Sequence, residues 1–267
     1  MSENMSEIVQ VYAFTLLSLI SIIKCDMEPN VVGGQSANIT EFPHSAFLKI
    51  VCVRDYEKEP KPNPYICGAS IVTNTILLTA GHCLDGCGVH STMSVSVSHA
   101  HRKKGSVSSI ISFLVHEHYD RTRVANDLAL VEIKTPLNFS DKVKRVVLMK
   151  DPPYGEKAQV AGWGLVKEER NEKAKVLQFV NQVVWKTNEC RQLIQTLSKG
   201  AICASSGNEY SYASGGDSGS ALVVRGYIQI GIVSYKMPKV SRSLVVYTDT
   251  GYFYDWIRKN ARRLYCV

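Results

Sequence analysis

Eight short runs rich in valine and isoleucine are strung along the chain, at residues 46–53, 69–78, 93–98, 128–133, 158–161, 221–224, 227–233 and 244–247. Glycine, proline, asparagine or charged turn residues separate them, which is the punctuation of β-strands. No helical periods alternate with them, so the pattern argues against a parallel α/β sheet. It predicts an antiparallel barrel or a pair of barrels. The last segment reads differently. Phe253, Trp256, Ile257 and Leu264 recur at near-helical spacing, and Arg258, Lys259, Arg262 and Arg263 suit the C-terminal end of a helix. The charged stretches 56–64 and 167–175 read as exposed loops, and there is no internal repeat.

Composition narrows the class. Of 267 residues, 45% are apolar and 21% charged, which is globular rather than disordered. The net charge is 31 − 24 = +7, but no basic stripe interleaved with aromatics follows from it, so nucleic acid is not an expected partner. Eight cysteines without a C-x-x-C pair speak for disulfides in an oxidising compartment rather than for structural zinc. Residues 9–23 are almost wholly apolar or small and end at Lys24. This run is shorter than the roughly 20 residues a membrane helix needs. Residues 1–25 are therefore read as a signal peptide, with no stable membrane anchor and a secreted product, although the leading residues are acidic rather than basic. Asn38 and Asn138 head N-x-S/T triplets and are glycosylation candidates in that compartment.

Three strings carry the chemistry: Thr79-Ala80-Gly81-His82-Cys83, Asn126-Asp127-Leu128-Ala129-Leu130 and Gly215-Gly216-Asp217-Ser218-Gly219-Ser220. A serine hydroxyl is a weak nucleophile and needs an adjacent base, which itself needs an orienting group. Taken together, in the order His, Asp, Ser, the strings resemble the chymotrypsin-like (trypsin-like) serine peptidases, and the resemblance runs from Val31 to about Leu264. It implies an all-β fold of two six-stranded antiparallel barrels packed together with a C-terminal helix. It also implies a peptidase domain over residues 31–267 after a short propeptide at 26–30. The triad is then His82, Asp127 and Ser218, with Gly216 and Ser218 forming the oxyanion hole. Val31, opening Val31-Val32-Gly33-Gly34, is the freed N-terminus that pairs with Asp217. Ala161-Gly162-Trp163-Gly164 resembles a family segment, and Ser234 braces the catalytic Asp. Protein or peptide substrates follow, with proteinaceous protease inhibitors as further partners and no cofactor.

By the same resemblance Cys67 pairs with Cys83, Cys190 with Cys203, and Cys52 with Cys87; Cys25 and Cys266 stay unassigned. The chain also departs from the family. Ser214 replaces the cysteine of the bridge beside the specificity (S1) pocket, whose floor is Tyr212 and whose walls include Lys236 and Val245. Trypsin-type Lys/Arg preference is not expected. An acidic P1 residue is an option if the Lys236 ammonium reaches the pocket, and Glu209 is a carboxylate that could swing in instead. Asn30 before Val31 does not suit a tryptic activation cut. The stretch His99 to Lys104 lacks the carboxylates calcium needs, and neither His99/His101 nor His116/His118 has metal-site spacing, so no metal is expected. A non-catalytic homologue acting as a binding or regulatory protein is the alternative function.

Overall fold

The structure, a computed structural model, describes residues 33–54 and 63–265. The leader, the propeptide, Val31, Cys25, Cys266 and most of the 56–64 loop lie outside them. A short strand β1 (Gln35–Ser36) precedes a closed barrel of β2 (Ser45–Val51), β3 (Tyr65–Ile71), β4 (Ile76–Thr79), β5 (Thr92–Val97), β6 (Ser106–Val115) and β7 (Ala129–Ile133). Around the barrel the order is β2-β3-β4-β7-β6-β5, all antiparallel. A two-residue strand β8 (Val147–Leu148) then leads to β9 (Ala158–Gly162), the hairpin β10 (Leu165–Lys167) and β11 (Glu172–Lys173), and β12 (Gln178–Val184). Helix α1 (Thr187–Leu193) is followed by β13 (Ala201–Ser205), β14 (Ala221–Val224), β15 (Ile228–Lys236), β16 (Val245–Asp249) and helix α2 (Tyr254–Tyr265). Strands β9, β12, β13, β16, β15 and β14 close a second six-stranded ring, because β9 pairs with both β12 and β14. The fold is the expected one.

Strand chemistry explains the barrels. In β2 the side chains of Leu48 and Ile50 are fully buried while Lys49 between them is exposed, the alternation of a strand with one wet face. Strand β4 is apolar from Ile76 to Leu78, ends in Thr79 and is buried throughout. The apolar run 69–78 is not one strand: a turn at 72–75 divides it between β3 and β4. Three of the barrel strands lacked a sequence signal. In β6 serines interrupt the apolar residues, β12 carries three glutamine and asparagine residues, and β13 is built largely of alanine and cysteine.

Helix α2 follows the second barrel but packs on the first. Phe253, Ile257 and Ala261 are buried in the cluster that holds Leu77, Leu78 and Leu130. The helix therefore straps the barrels together. Between the barrels Ser70 Oγ donates to Gln229 Oε1 at 2.7 Å, fully buried, and Gly68 N–H donates to Ser218 O at 2.7 Å. Cys52–Cys87, Cys67–Cys83 and Cys190–Cys203 are disulfides, as expected. Cys67–Cys83 ties β3 to the His82 turn and closes a loop with a sequence separation of 16. Replacing both cysteines with alanine is expected to cost about 3 kcal/mol by the loop-entropy estimate, read as a lower denaturant midpoint. Among the described residues no helix is long and apolar enough to cross a membrane.

Candidate active site

His82 stands on a single 3-10 turn, Gly81–Cys83, just after β4 leaves the barrel. Asn126, in left-handed backbone at φ 53°, turns the chain ahead of β7 and leaves Asp127 facing that turn. The Asp127 carboxylate is 1% exposed and fully engaged. Its Oδ1 accepts the His82 backbone N–H at 2.8 Å, and its Oδ2 lies 2.8 Å from His82 Nδ1. Ser234 Oγ donates to Oδ2 as well. From β16, Thr248 Oγ1 donates to the Asp127 carbonyl at 2.7 Å. Two barrels thus hold one carboxylate against one imidazole. Burial pulls the His82 pKa down, but the hydrogen bond and charge of Asp127 outweigh it and hold the pKa above the ordinary histidine value.

Ser218 is half-buried in the loop ahead of β14. Its carbonyl, tied to Gly68, lies 3.8 Å from Cys83 Sγ, so the serine loop abuts the histidine turn. Gly216 at φ 101° and Gly219 at φ 85° adopt backbone that only glycine takes readily. Among the described residues the amides of Asp217, Gly219 and Ser220 donate to backbone carbonyls, whereas those of Gly216 and Ser218 donate to none. This leaves two donors beside the serine hydroxyl.

Asp217 is buried beneath the loop, where Gly164 N–H and Ser214 N–H donate to its two oxygens at 2.7 and 2.8 Å. Burial pushes its pKa up to about 6, against the pull of those bonds and of the Lys236 charge. The Gly-Trp-Gly segment now has a physical reason. A Cβ on Gly162 or Gly164 would fall 2.1 or 2.4 Å from an Asp217 oxygen, while Trp163 anchors the segment by donating Nε1–H to Ala100 O at 2.6 Å. Gly164→Ala is expected to displace the Asp217 carboxylate and cost about 1–3 kcal/mol by overpacking, seen as a lower thermal midpoint.

Of the residues expected at the specificity pocket, Tyr212 and Lys236 come together, with Ser214 and with one residue that the sequence does not mark. Tyr212 and Ser214 are buried, and Lys236 is half-buried at the end of β15. Glu168, in a stretch read as an exposed loop, reaches all three. Its carboxylate accepts from Tyr212 Oη at 3.2 Å, from Ser214 Oγ and from Lys236 Nζ. Lys236 Nζ also lies 4.7 Å from the centre of the Tyr212 ring. Glu209 is exposed on the surface instead. Val245 is opposite Lys236 in the β15–β16 ladder and fully buried in the barrel core. Nothing in the local sequence of Glu168 marks it, since it is the β10–β11 hairpin that brings it to Tyr212, Ser214 and Lys236.

Other candidates are placed as follows. Asn38 and Asn138 are both exposed. Cys67, His82 and Cys83 lie close enough to suggest metal ligands, but both sulfurs are spent in their disulfide. His116 is buried, with its ring centre 4.8 Å from that of Trp256, whose Nε1–H donates to Glu117.

A family model described as Trypsin matches residues 31–257. Trypsin epsilon of Drosophila erecta is 29% identical over 245 residues, covering 89% of this chain and 90% of that relative. Trypsin delta of Drosophila melanogaster is 28% identical over 243 residues, covering 88% and 90%. Among solved structures, HL collagenase superposes with a TM-score of 0.75 at 23% identity, covering 86% of this chain and 97% of that one. An inactivated protease paralogue of the scabies mite, S-D1, superposes at 0.72 with 24% identity, covering 86% and 97%; at these identities the two structures attest the fold alone. With the matched model spanning nearly all of the described chain, the protein belongs to the trypsin family of serine endopeptidases.

Proposed function

We propose that this chain is a secreted endopeptidase that cleaves peptide bonds through His82, Asp127 and Ser218 by way of an acyl-enzyme, without trypsin's Lys/Arg preference at P1. The observation that carries the reading is the Asp127 carboxylate, which grips both the backbone N–H and the Nδ1 of His82. With Nδ1 committed to Asp127, Nε2 is the nitrogen left to take the Ser218 proton. Ser218 Oγ attacks the scissile carbonyl, and its proton goes to Nε2. The amides of Gly216 and Ser218 receive the developing oxyanion, each worth on the order of 10²–10³ in rate. The imidazolium then protonates the leaving amine, the acyl-enzyme forms, and water reverses the sequence.

Chemistry of this kind needs Asp217 held in place. A carboxylate buried at this cost calls for a cation, and the freed α-ammonium of Val31 supplies one once the leader and residues 26–30 are removed. A chain beginning at Val31 is expected to digest an unfolded protein substrate, with the new termini identified by mass spectrometry. Acetylating that terminus is expected to lower kcat by at least 10²-fold through the oxyanion hole. Absence of any new termini from the free-amine chain would overturn the reading. One observation favours the second reading, a non-catalytic homologue: the Glu168 carboxylate takes up the donors of Tyr212, Ser214 and Lys236, where the specificity pocket is expected. The exposed Asn38 and Asn138 suit glycans on a secreted product.

A further inference from the structure

The β10–β11 hairpin lays one carboxylate across the pocket beside the nucleophile. Tyr212 and Ser214 stand six and four positions before Ser218, and Lys236 two after Ser234, which binds Asp127. Their three donor groups converge on a single point, the Glu168 carboxylate. Two of these side chains are buried in the serine loop and the third rides on barrel strand β15. Glu168, by contrast, sits on the turn Glu168–Arg170, whose three residues include no buried side chain. The receptor is built into the barrel, whereas its occupant is carried by a surface hairpin.

We infer that this pocket is a receptor for a carboxylate, that the protease cleaves after glutamate or aspartate, and that Glu168 is a self-ligand displaced by such a P1 side chain. The inference rests on the peptidase reading above for its catalytic half. An incoming carboxylate restores every bond that Glu168 gives up. An apolar P1 residue would leave buried donors unpaired, which is costly. A lysine or arginine would bring a second cation beside Lys236, which already pairs with Glu168. Charge-assisted bonds of this type discriminate by about 10- to 100-fold.

The test uses two arms on the chain beginning at Val31. In the first, kcat/KM is measured for peptides that differ only at P1 as Glu, Asp, Gln, Ala, Phe or Arg. Glu or Asp is expected to lead Gln by about tenfold or more. Glu168→Ala is expected to lower KM for the Glu substrate with kcat little changed. Lys236→Glu is expected to abolish the acidic preference and admit Arg. In the second arm, peptides ending in Glu, Gln or Arg, as the C-terminal amides, are titrated into the Ser218→Ala protein by calorimetry. Glu is expected to bind tightest, and more tightly still with Glu168→Ala added. A preference for Arg that vanishes with Glu168→Ala, or no Glu preference in the binding arm, overturns the inference. Glu-selective binding in the second arm, with none of the six peptides hydrolysed by the unsubstituted chain in the first, supports the receptor and overturns the catalytic reading instead.

Discussion

Ser218→Ala is expected to reduce kcat by about 10⁶-fold while leaving the fold and the melting temperature essentially unchanged. The exchange removes one oxygen and keeps the Cβ, so the loop retains the glycine conformations at 216 and 219 and the Gly68 N–H bond to the residue-218 carbonyl. What is lost is the covalent route. His82 then has only water to activate, and the scissile carbonyl meets no nucleophile at bonding range. The two free amides remain, so residual catalysis of about 10³-fold over the uncatalysed reaction is expected. A loss of only about tenfold in kcat would show that another group performs the attack.

Asp127→Asn comes second in size, at about 10⁴-fold in kcat, the loss this exchange causes in well-characterised members of the family. The reason can be traced atom by atom. Oδ1 accepts the backbone N–H of His82, which can only donate. An asparagine keeps its oxygen there and turns its NH₂ toward Nδ1. The imidazole must then accept at Nδ1, which puts its proton on Nε2, where the Ser218 proton is due. The pH profile supplies an independent readout. In the wild type, Asp127 raises the His82 pKa above the ordinary value of 6.5 despite burial. Protonated His82 cannot act as base, so kcat/KM falls as pH drops through that raised pKa. With asparagine the raising charge is gone and burial remains, so the acid limb is expected to shift below pH 6.5. An acid limb that stays in place would mean that it reports another group.

Much of this was legible in the residues, and the exceptions share a cause. The antiparallel β architecture and the C-terminal helix follow from apolar runs and turn residues that report locally on burial, whereas the two six-stranded barrels and the three disulfide pairings came with the family resemblance that the motif strings carry. Strands β6, β12 and β13 did not announce themselves because serine, glutamine and alanine fill positions that tertiary pairing alone makes extended. The meeting of His82 with Asp127 was readable because each lies inside a recognisable string. Glu168 was not, because a lone glutamate in a charged stretch looks the same whether solvated or folded back. Its role exists only once a hairpin 46 and 68 residues distant from Ser214 and Lys236 delivers it. Lys236 was legible as a pocket residue but not its partner. Tyr212, read as a pocket floor, turned out to be a hydrogen-bond donor whose ring also lies beneath an ammonium.

The central claim is that His82 and Asp127 activate Ser218. It is tested most directly by reacting the chain that begins at Val31 with a fluorophosphonate and mapping the adduct by mass spectrometry. The account predicts one adduct, on Ser218, that forms at the pH where His82 is neutral and is absent from the Ser218→Ala and His82→Ala proteins. A correctly processed, folded protein that takes up no label would contradict it.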